Sequence, residues 1–112
     1  MNLKKIIEIL ELNIINNYTD SEILMGYTSD LLSDVIANAK SGSIWITLQT
    51  HKNIVAVAVM KQIPAIIITS DRLPDQEVIN VADEENIVLL STKLNNFECS
   101  GKLYNVLKNE IL

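Results

Sequence analysis

Three short polar stretches carry nearly all the side chains that could do chemistry in this chain. The first is Thr47-Leu48-Gln49-Thr50-His51-Lys52-Asn53, the second Thr69-Ser70-Asp71-Arg72 and the third Ser91-Thr92-Lys93. The first follows the apolar run Ile44-Trp45-Ile46, and the other two each follow an apolar run of four residues. The first leads into a segment expected to be helical, whose free backbone N–H groups suit an anion. Arg72 offers a planar fork for phosphate or carboxylate. His51 suits acid–base work or a ligand contact. Each residue also has a plainer reading. His51 more often caps the following helix or faces water, and that reading is preferred. Thr50 and Asn53 serve equally well as helix caps. Arg72 more simply pairs with Asp71 or Asp75. Asp30 and Asp34 are spaced to bind a cation, but Asp30 as a helix cap with Asp34 solvated is the preferred reading.

The missing motifs narrow the chemistry. The only glycines are Gly26, Gly42 and Gly101. Neither the phosphate-cradling G-x-x-x-x-G-K-[ST] run nor the dinucleotide G-x-G-x-x-G run is present, nor a G-x-S-x-G elbow. A zinc site would have to lean on carboxylates, because His51 and Cys99 are the sole histidine and cysteine. One thiolate cannot hold an iron–sulfur cluster, so no metal site is assigned and a cofactor is left unspecified. Cys99 reads as a half-buried helix cysteine in a reducing compartment. At net charge −5 the chain lacks the basic footprint of a nucleic-acid binder. No apolar run reaches the length of a membrane span. Glu8 interrupts the place where a signal peptide needs apolar residues, so a cytoplasmic protein is expected.

The elements that position these loops follow from periodicity. The 112 residues, 48% of them apolar, suffice for a single domain over 1–112 with its own core. Leu3, Ile6, Ile7 and Leu10 recur at helical spacing and predict a first helix over Leu3–Leu12. Ile14-Ile15 and Ile23–Thr28 read as strands, with Gly26 marking a bulge or a close backbone approach. Thr28-Ser29-Asp30 offers caps for a helix with Leu31, Leu32, Val35, Ile36 and Ala39 inward. Gly42 suits a left-handed stop, and Trp45 is expected in the core of a strand over Ile44–Leu48. The run Ile54–Met60 has strand propensity, yet a helix there would connect parallel strands in the usual way. Ala65–Thr69 and Ile87–Leu90 read as strands buried on both faces. Between them, Pro74 and its acidic neighbours open a helix with Val78, Ile79 and Ala82 inward. Thr92 or Asn95 caps a last helix to about Glu110, packed through Leu94, Phe97, Leu103, Tyr104 and Leu107. Gly101 within it suggests close packing on a neighbour. This alternation implies an α/β layered domain with a largely parallel sheet, in which all three polar loops share one edge.

The runs Tyr27–Val35, Trp45–Ala58 and Phe97–Tyr104 together resemble a stand-alone DRTGG-domain protein of the type found beside iron-only hydrogenase genes. The stretch from Leu73 to Thr92 resembles the N-terminal domain of HPr kinase/phosphorylase. The resemblance implies a three-layer α/β/α sandwich with a largely parallel or mixed sheet and a helix over Asn53–Ile63. It implies a regulatory module, a dimer and a hydrogenase-system partner. The name-giving motif is absent near Asp20–Tyr27, so no ligand role is transferred from it. The kinase activity is not implied either, because its P-loop belongs to a different domain.

Three functions stay open at this point. The first is a non-catalytic regulatory domain that binds a small anionic ligand such as a nucleotide through Thr47, Gln49, Thr50, His51, Asn53, Arg72, Ser91 and Thr92. The second is a ligand-free interaction module that forms a homodimer and docks on a partner enzyme. The third and weakest is an enzyme using His51. No ATP hydrolysis is expected, since no glycine loop cradles a phosphate.

Overall fold

A computed structural model describes residues 1–111, without the side chains of residues 110 and 111. Ten elements follow in chain order: α1 (Leu3–Leu10), β1 (Asn13–Ile14), β2 (Met25–Thr28), α2 (Leu32–Asn38), β3 (Ser43–Thr47), α3 (Asn53–Lys61), β4 (Ala65–Ile68), α4 (Gln76–Glu84), β5 (Val88–Ser91) and α5 (Asn96–Ile111). The strands form one mixed sheet in the order β1-β5-β4-β3-β2. The pairs β2–β3, β3–β4 and β4–β5 are parallel; only the short edge strand β1 runs antiparallel to β5.

Alternation along the strands builds two apolar layers. Trp45, Ile66, Ile68 and Leu89 face Val35, Ile54, Val55, Ala58, Val78 and Ala82 of α2, α3 and α4. Ile44, Ile46, Ile67 and Leu90 face Leu3, Ile6 and Leu10 of α1 and Cys99 and Leu103 of α5. The result is the expected three-layer α/β/α sandwich. All four residues of the central strand β4 are 0% exposed, which explains their unbroken apolar run. Residues 53–61 are helical despite their strand propensity. A β-hairpin there would have left β3 and β4 without a crossover, and burial of Ile54, Val55, Val57 and Ala58 outweighs the propensity of β-branched residues.

Several local expectations give way. The second helix begins only at Leu32 and has no side-chain cap, because its N-cap residue is Leu31, whose side chain has no hydrogen-bond acceptor. Leu31 and Ile36, expected inward, are exposed; seven residues of helix bury only Val35 fully. On α5 the inward stripe is Cys99, Leu103, Val106 and Leu107. Phe97 and Tyr104 lie on the opposite side, 87% and 69% exposed, although packing was expected of both. Gly101 shares their face, and a Cβ there would meet nothing within 4 Å, so it packs on no neighbour among the described residues. Gly26 does mark a close approach: a Cβ on it would lie 2.7 Å from Leu103 Cδ2, where α5 crosses β2. Gly42 has φ +83 in the tight turn before β3, a conformation that costs other residues a steric penalty. Asn95 and Glu98 start α5 with a reciprocal capping box: Glu98 N–H donates to Asn95 Oδ1 at 2.9 Å and Asn95 N–H to Glu98 Oε1 at 3.2 Å.

Candidate functional site

Parallel pairing puts the carboxyl ends of β2, β3, β4 and β5 on one edge of the sheet. The three polar loops therefore lie side by side, with the Arg72 loop next to the Gln49 loop because β4 neighbours β3. The strand carboxyl edge is where open α/β sheets bind ligands.

A carboxylate that the sequence offered only as a helix cap sits at the centre of this edge. Asp30 Oδ1 accepts from the Thr47 hydroxyl and from the Leu48 N–H, each at 2.8 Å. The Asn96 side-chain amide donates to Asp30 Oδ2 at 3.1 Å and to Oδ1 at 3.3 Å. Asn96 Oδ1 in turn accepts from the Thr69 hydroxyl. Gln49 Nε2 donates to the Asp30 backbone carbonyl at 3.0 Å, and Gln49 N–H to Thr47 Oγ1 at 3.1 Å. Next to this cluster, Trp45 Nε1–H donates to the carbonyl of Ser29 at 2.8 Å. One carboxylate thus ties the ends of β2 and β3 to the start of α5, held by neutral donors. Drawing Asp30 toward β3 takes it away from the helix it precedes, which is why α2 lacks a side-chain cap.

The neighbouring turn is stitched in a similar way. Ser70 and Asp71 are both left-handed, with φ 60 and 59, and the Arg72 N–H closes the turn on the Thr69 carbonyl at 3.2 Å. Ser70 N–H donates to the Leu94 carbonyl and Asp71 N–H to the Thr92 carbonyl. These bonds offset the cost of two consecutive left-handed residues without glycine. The β4–α4 and β5–α5 loops therefore form one rigid rim.

The expected site residues divide into two groups. Thr47, Ser91 and Thr92 are buried, and Thr47 and Gln49 are committed to Asp30. Thr92 Oγ1 accepts from Leu94 N–H at 3.2 Å. Thr50, His51, Asn53 and Arg72 remain at the surface or half-buried. His51 Nδ1 accepts from Asn53 N–H at 3.1 Å and so caps α3, the plainer role preferred for it. Lys52 makes an exposed 3.4 Å ion pair with Glu77. Arg72 has no carboxylate partner among the described residues, so its pairing with Asp71 or Asp75 does not occur. Among the described residues no protein acceptor takes the N–H groups of Thr50, His51 or Lys52.

Asp30 and Asn96 were missed as members of this edge, and Thr69, placed on it, was not named among the site residues. Ser29-Asp30 follows β2, so the rule that gathered the other three loops would have gathered it as well. Asn96 left no comparable trace, since its role depends on where α5 docks. Cys99 lies fully buried beneath α5; burial pushes its thiol up to about 11, against the opposing charge of Lys102. Among the described residues no group of three or more His, Cys, Asp or Glu side chains is placed to hold a metal ion. No described helix is long and apolar enough to cross a membrane.

A comparison with curated proteins finds no match. Among solved structures the fold matches the crystal structure of the CBS and DRTGG domains of the regulatory region of Clostridium perfringens pyrophosphatase, complexed with the activator diadenosine tetraphosphate. The TM-score is 0.70 at 18% identity, over 90% of this chain and 45% of that one. The chain thus spans less than half of that structure's length, and at this identity the likeness establishes the fold. The family described as the HPr serine kinase N terminus matches residues 45–107, from Trp45 in β3 through α3, β4, α4 and β5 to Leu107 in α5. More than half of the chain, including the loops of the candidate site after β3, β4 and β5, lies inside that match: the chain belongs to the HPr serine kinase N-terminal family.

Proposed function

We propose that residues 1–112 act as one non-catalytic, cytoplasmic regulatory domain that binds a small anionic ligand, in the first place a nucleotide, at the rim of the strand carboxyl edge. The observation that carries this reading is the rim's supply of uncommitted donors. The successive N–H groups of Thr50, His51 and Lys52 have no protein acceptor among the described residues. Among the described residues Arg72, on the adjacent loop, has no carboxylate partner. Successive free N–H groups before a helix favour negative charge. Asp30 fills the interior of the edge and repels an anion there, so the ligand sits at the surface beside Thr50, His51, Asn53 and Arg72. Thr47, Gln49, Ser91 and Thr92 support the rim from behind. The nucleotide is suggested by the activator bound in the regulatory region of the matched pyrophosphatase. The proposed setting is a hydrogenase or energy-metabolism system, as the DRTGG resemblance implies.

A thermal-shift screen with adenine nucleotides, diadenosine tetraphosphate and inorganic phosphate tests the reading. A stabilising ligand should lose about ten- to hundredfold in affinity in Arg72→Ala, the loss of one charged hydrogen bond worth about 1.5–3 kcal/mol. If no compound shifts the melting temperature, the regulatory-ligand reading fails.

A second reading, an interaction module that forms a homodimer and docks on a partner enzyme, is favoured by a different observation. Phe97 and Tyr104 are largely exposed on a helix whose other face packs on the sheet through Cys99, Leu103, Val106 and Leu107. Exposed apolar surface of this kind marks association sites. The two readings are compatible, and we propose the homodimer alongside ligand binding.

A further inference from the structure

We infer that the outer face of α5, with the groove between α5 and the edge strand β2, is where a second copy of this chain docks, helix against antiparallel helix about a twofold axis near Gly101. The inference deepens the homodimer reading above by naming its surface.

The groove has a volume of 380 Å³, and Gly26, Thr28, Leu103 and Leu107 contribute to its walls. Phe97, Gly101 and Tyr104 stand at its lip. They recur at i, i+4 and i+7, so they form one stripe along the helix. Phe97 is the most exposed large apolar side chain described. A projecting ring and a hollow that lie on the same surface are what an isologous twofold contact requires, each copy's ring entering the other's groove. Gly101 sits between the two rings with nothing within 4 Å of a built Cβ. A glycine in mid-helix costs about 1 kcal/mol relative to alanine, and no contact among the described residues explains it. A second α5 crossing there does, because the missing side chain lets two helix backbones approach closely.

Charge and area both favour a copy of the same helix. Glu98 lies in the first turn of α5, whereas Lys102 and Lys108 lie further along it. An antiparallel copy brings the Glu98 end of each helix against the lysine-bearing part of the other, and opposes the two helix dipoles. The Lys108 ammonium already lies 6.0 Å from the centroid of the Tyr104 ring, at the flank of the stripe. Phe97 and Tyr104 each present on the order of 150 Å². Four such rings supply about half of the roughly 1,200 Å² that a stable association buries, and the groove walls and helix flanks supply the rest. Strand β2 pairs with β3 on one side only, so its free edge lies beside the contact and is shielded by it.

Sedimentation velocity on the full chain at micromolar concentration tests the inference. Wild type should sediment as a dimer. Phe97→Glu and Tyr104→Glu should each sediment as a monomer, with unchanged far-ultraviolet circular dichroism because both side chains are exposed. Gly101→Cys should form an intermolecular disulfide on mild oxidation, while Ser33→Cys on α2 should not. A wild-type monomer would overturn both the homodimer and this surface. A wild-type dimer that persists in both glutamate variants, with no Gly101→Cys cross-link, would leave the homodimer standing and overturn the surface.

Discussion

Replacing Asp30 by alanine removes the acceptor that three groups share, and the cost follows from where each is left. The Thr47 hydroxyl is buried at 0% exposure and donates to Asp30 at 2.8 Å. Stranding it forfeits a hydrogen bond to a charged group, about 2 kcal/mol. The Leu48 N–H and the Asn96 amide, in contact at 2.8 and 3.1 Å, are only half-buried. Water entering the vacated space restores part of their bonding, which leaves about 0.5–1 kcal/mol for each. The sum is about 3–4 kcal/mol. For a chain of this size that lowers Tm by about 15 °C and the urea midpoint by about 2 M, with the slope unchanged. Asp30→Asn should cost about half as much: its oxygen still serves Thr47 and Leu48, but its amide faces the Asn96 amide. Adding Asn96→Asp to Asp30→Asn restores a donor–acceptor pair, with the new carboxylate accepting from Thr69. The double variant should therefore be more stable than the sum of the two single changes predicts. Urea denaturation followed by circular dichroism measures wild type, Asp30→Ala, Asp30→Asn, Asn96→Asp and the double variant. An Asp30→Ala midpoint within about 0.3 M of wild type would show that this carboxylate does not tie the edge together.

Three further outcomes are expected. Cys99, buried and with its thiol held at about 11, should resist a disulfide reagent at about pH 8 and react once the chain is unfolded; rapid labelling of the native protein would place it at the surface. Gly26→Ala pushes a Cβ to 2.7 Å from Leu103 Cδ2 and should cost about 1–2 kcal/mol through overpacking, whereas Gly101→Ala, facing open space within the chain, should not destabilise the monomeric Phe97→Glu background in the same urea assay. Asp20 is held below its ordinary value chiefly by the Tyr18 hydroxyl, with the N–H groups of Lys4 and Ser21 and the charge of Lys4 adding to this against desolvation. Its contribution to stability is therefore present above the ordinary carboxylate range of about 4 and is lost as the pH falls through the depressed folded value. Asp20→Asn should flatten that acid limb of a stability–pH profile, and an unchanged limb would contradict the assignment.

The layered fold was legible because its signals are local and periodic. Four- and five-residue apolar runs such as Ala65-Ile66-Ile67-Ile68-Thr69 admit few readings other than a strand covered on both faces; Pro74 and its acidic neighbours announced the start of α4, and of the two caps offered for α5, Thr92 and Asn95, Asn95 is the one that serves. Gly26 pointed to a close approach that the structure supplies through Leu103. The inward face of α5 was legible in part: Leu94, Leu103 and Leu107 pack as expected, whereas Cys99 and Val106 were overlooked and Phe97 and Tyr104 were wrongly turned inward. Phe97 and Tyr104 outrank Cys99 and Val106 in size, and size alone assigned those two rings to the wrong side of the helix. At the carboxyl edge, strand order alone decides which loops meet, and parallel connections gave it correctly for three loops. The role of Asp30 was hidden because an aspartate before a helix has a ready local explanation as a cap. Only the distance to Thr47 and Leu48 shows that the tertiary partners win.

Amide chemical-shift mapping tests the rim site most directly. Nitrogen-15-labelled protein is titrated with diadenosine tetraphosphate, ATP and AMP in turn, beside the Arg72→Ala variant. Saturable shifts of the Thr50, His51, Lys52 and Arg72 amides are predicted for at least one nucleotide, with about ten- to hundredfold weaker binding in the variant. Saturable shifts confined to other surfaces, or an affinity untouched by Arg72→Ala, would contradict an anion site at this edge.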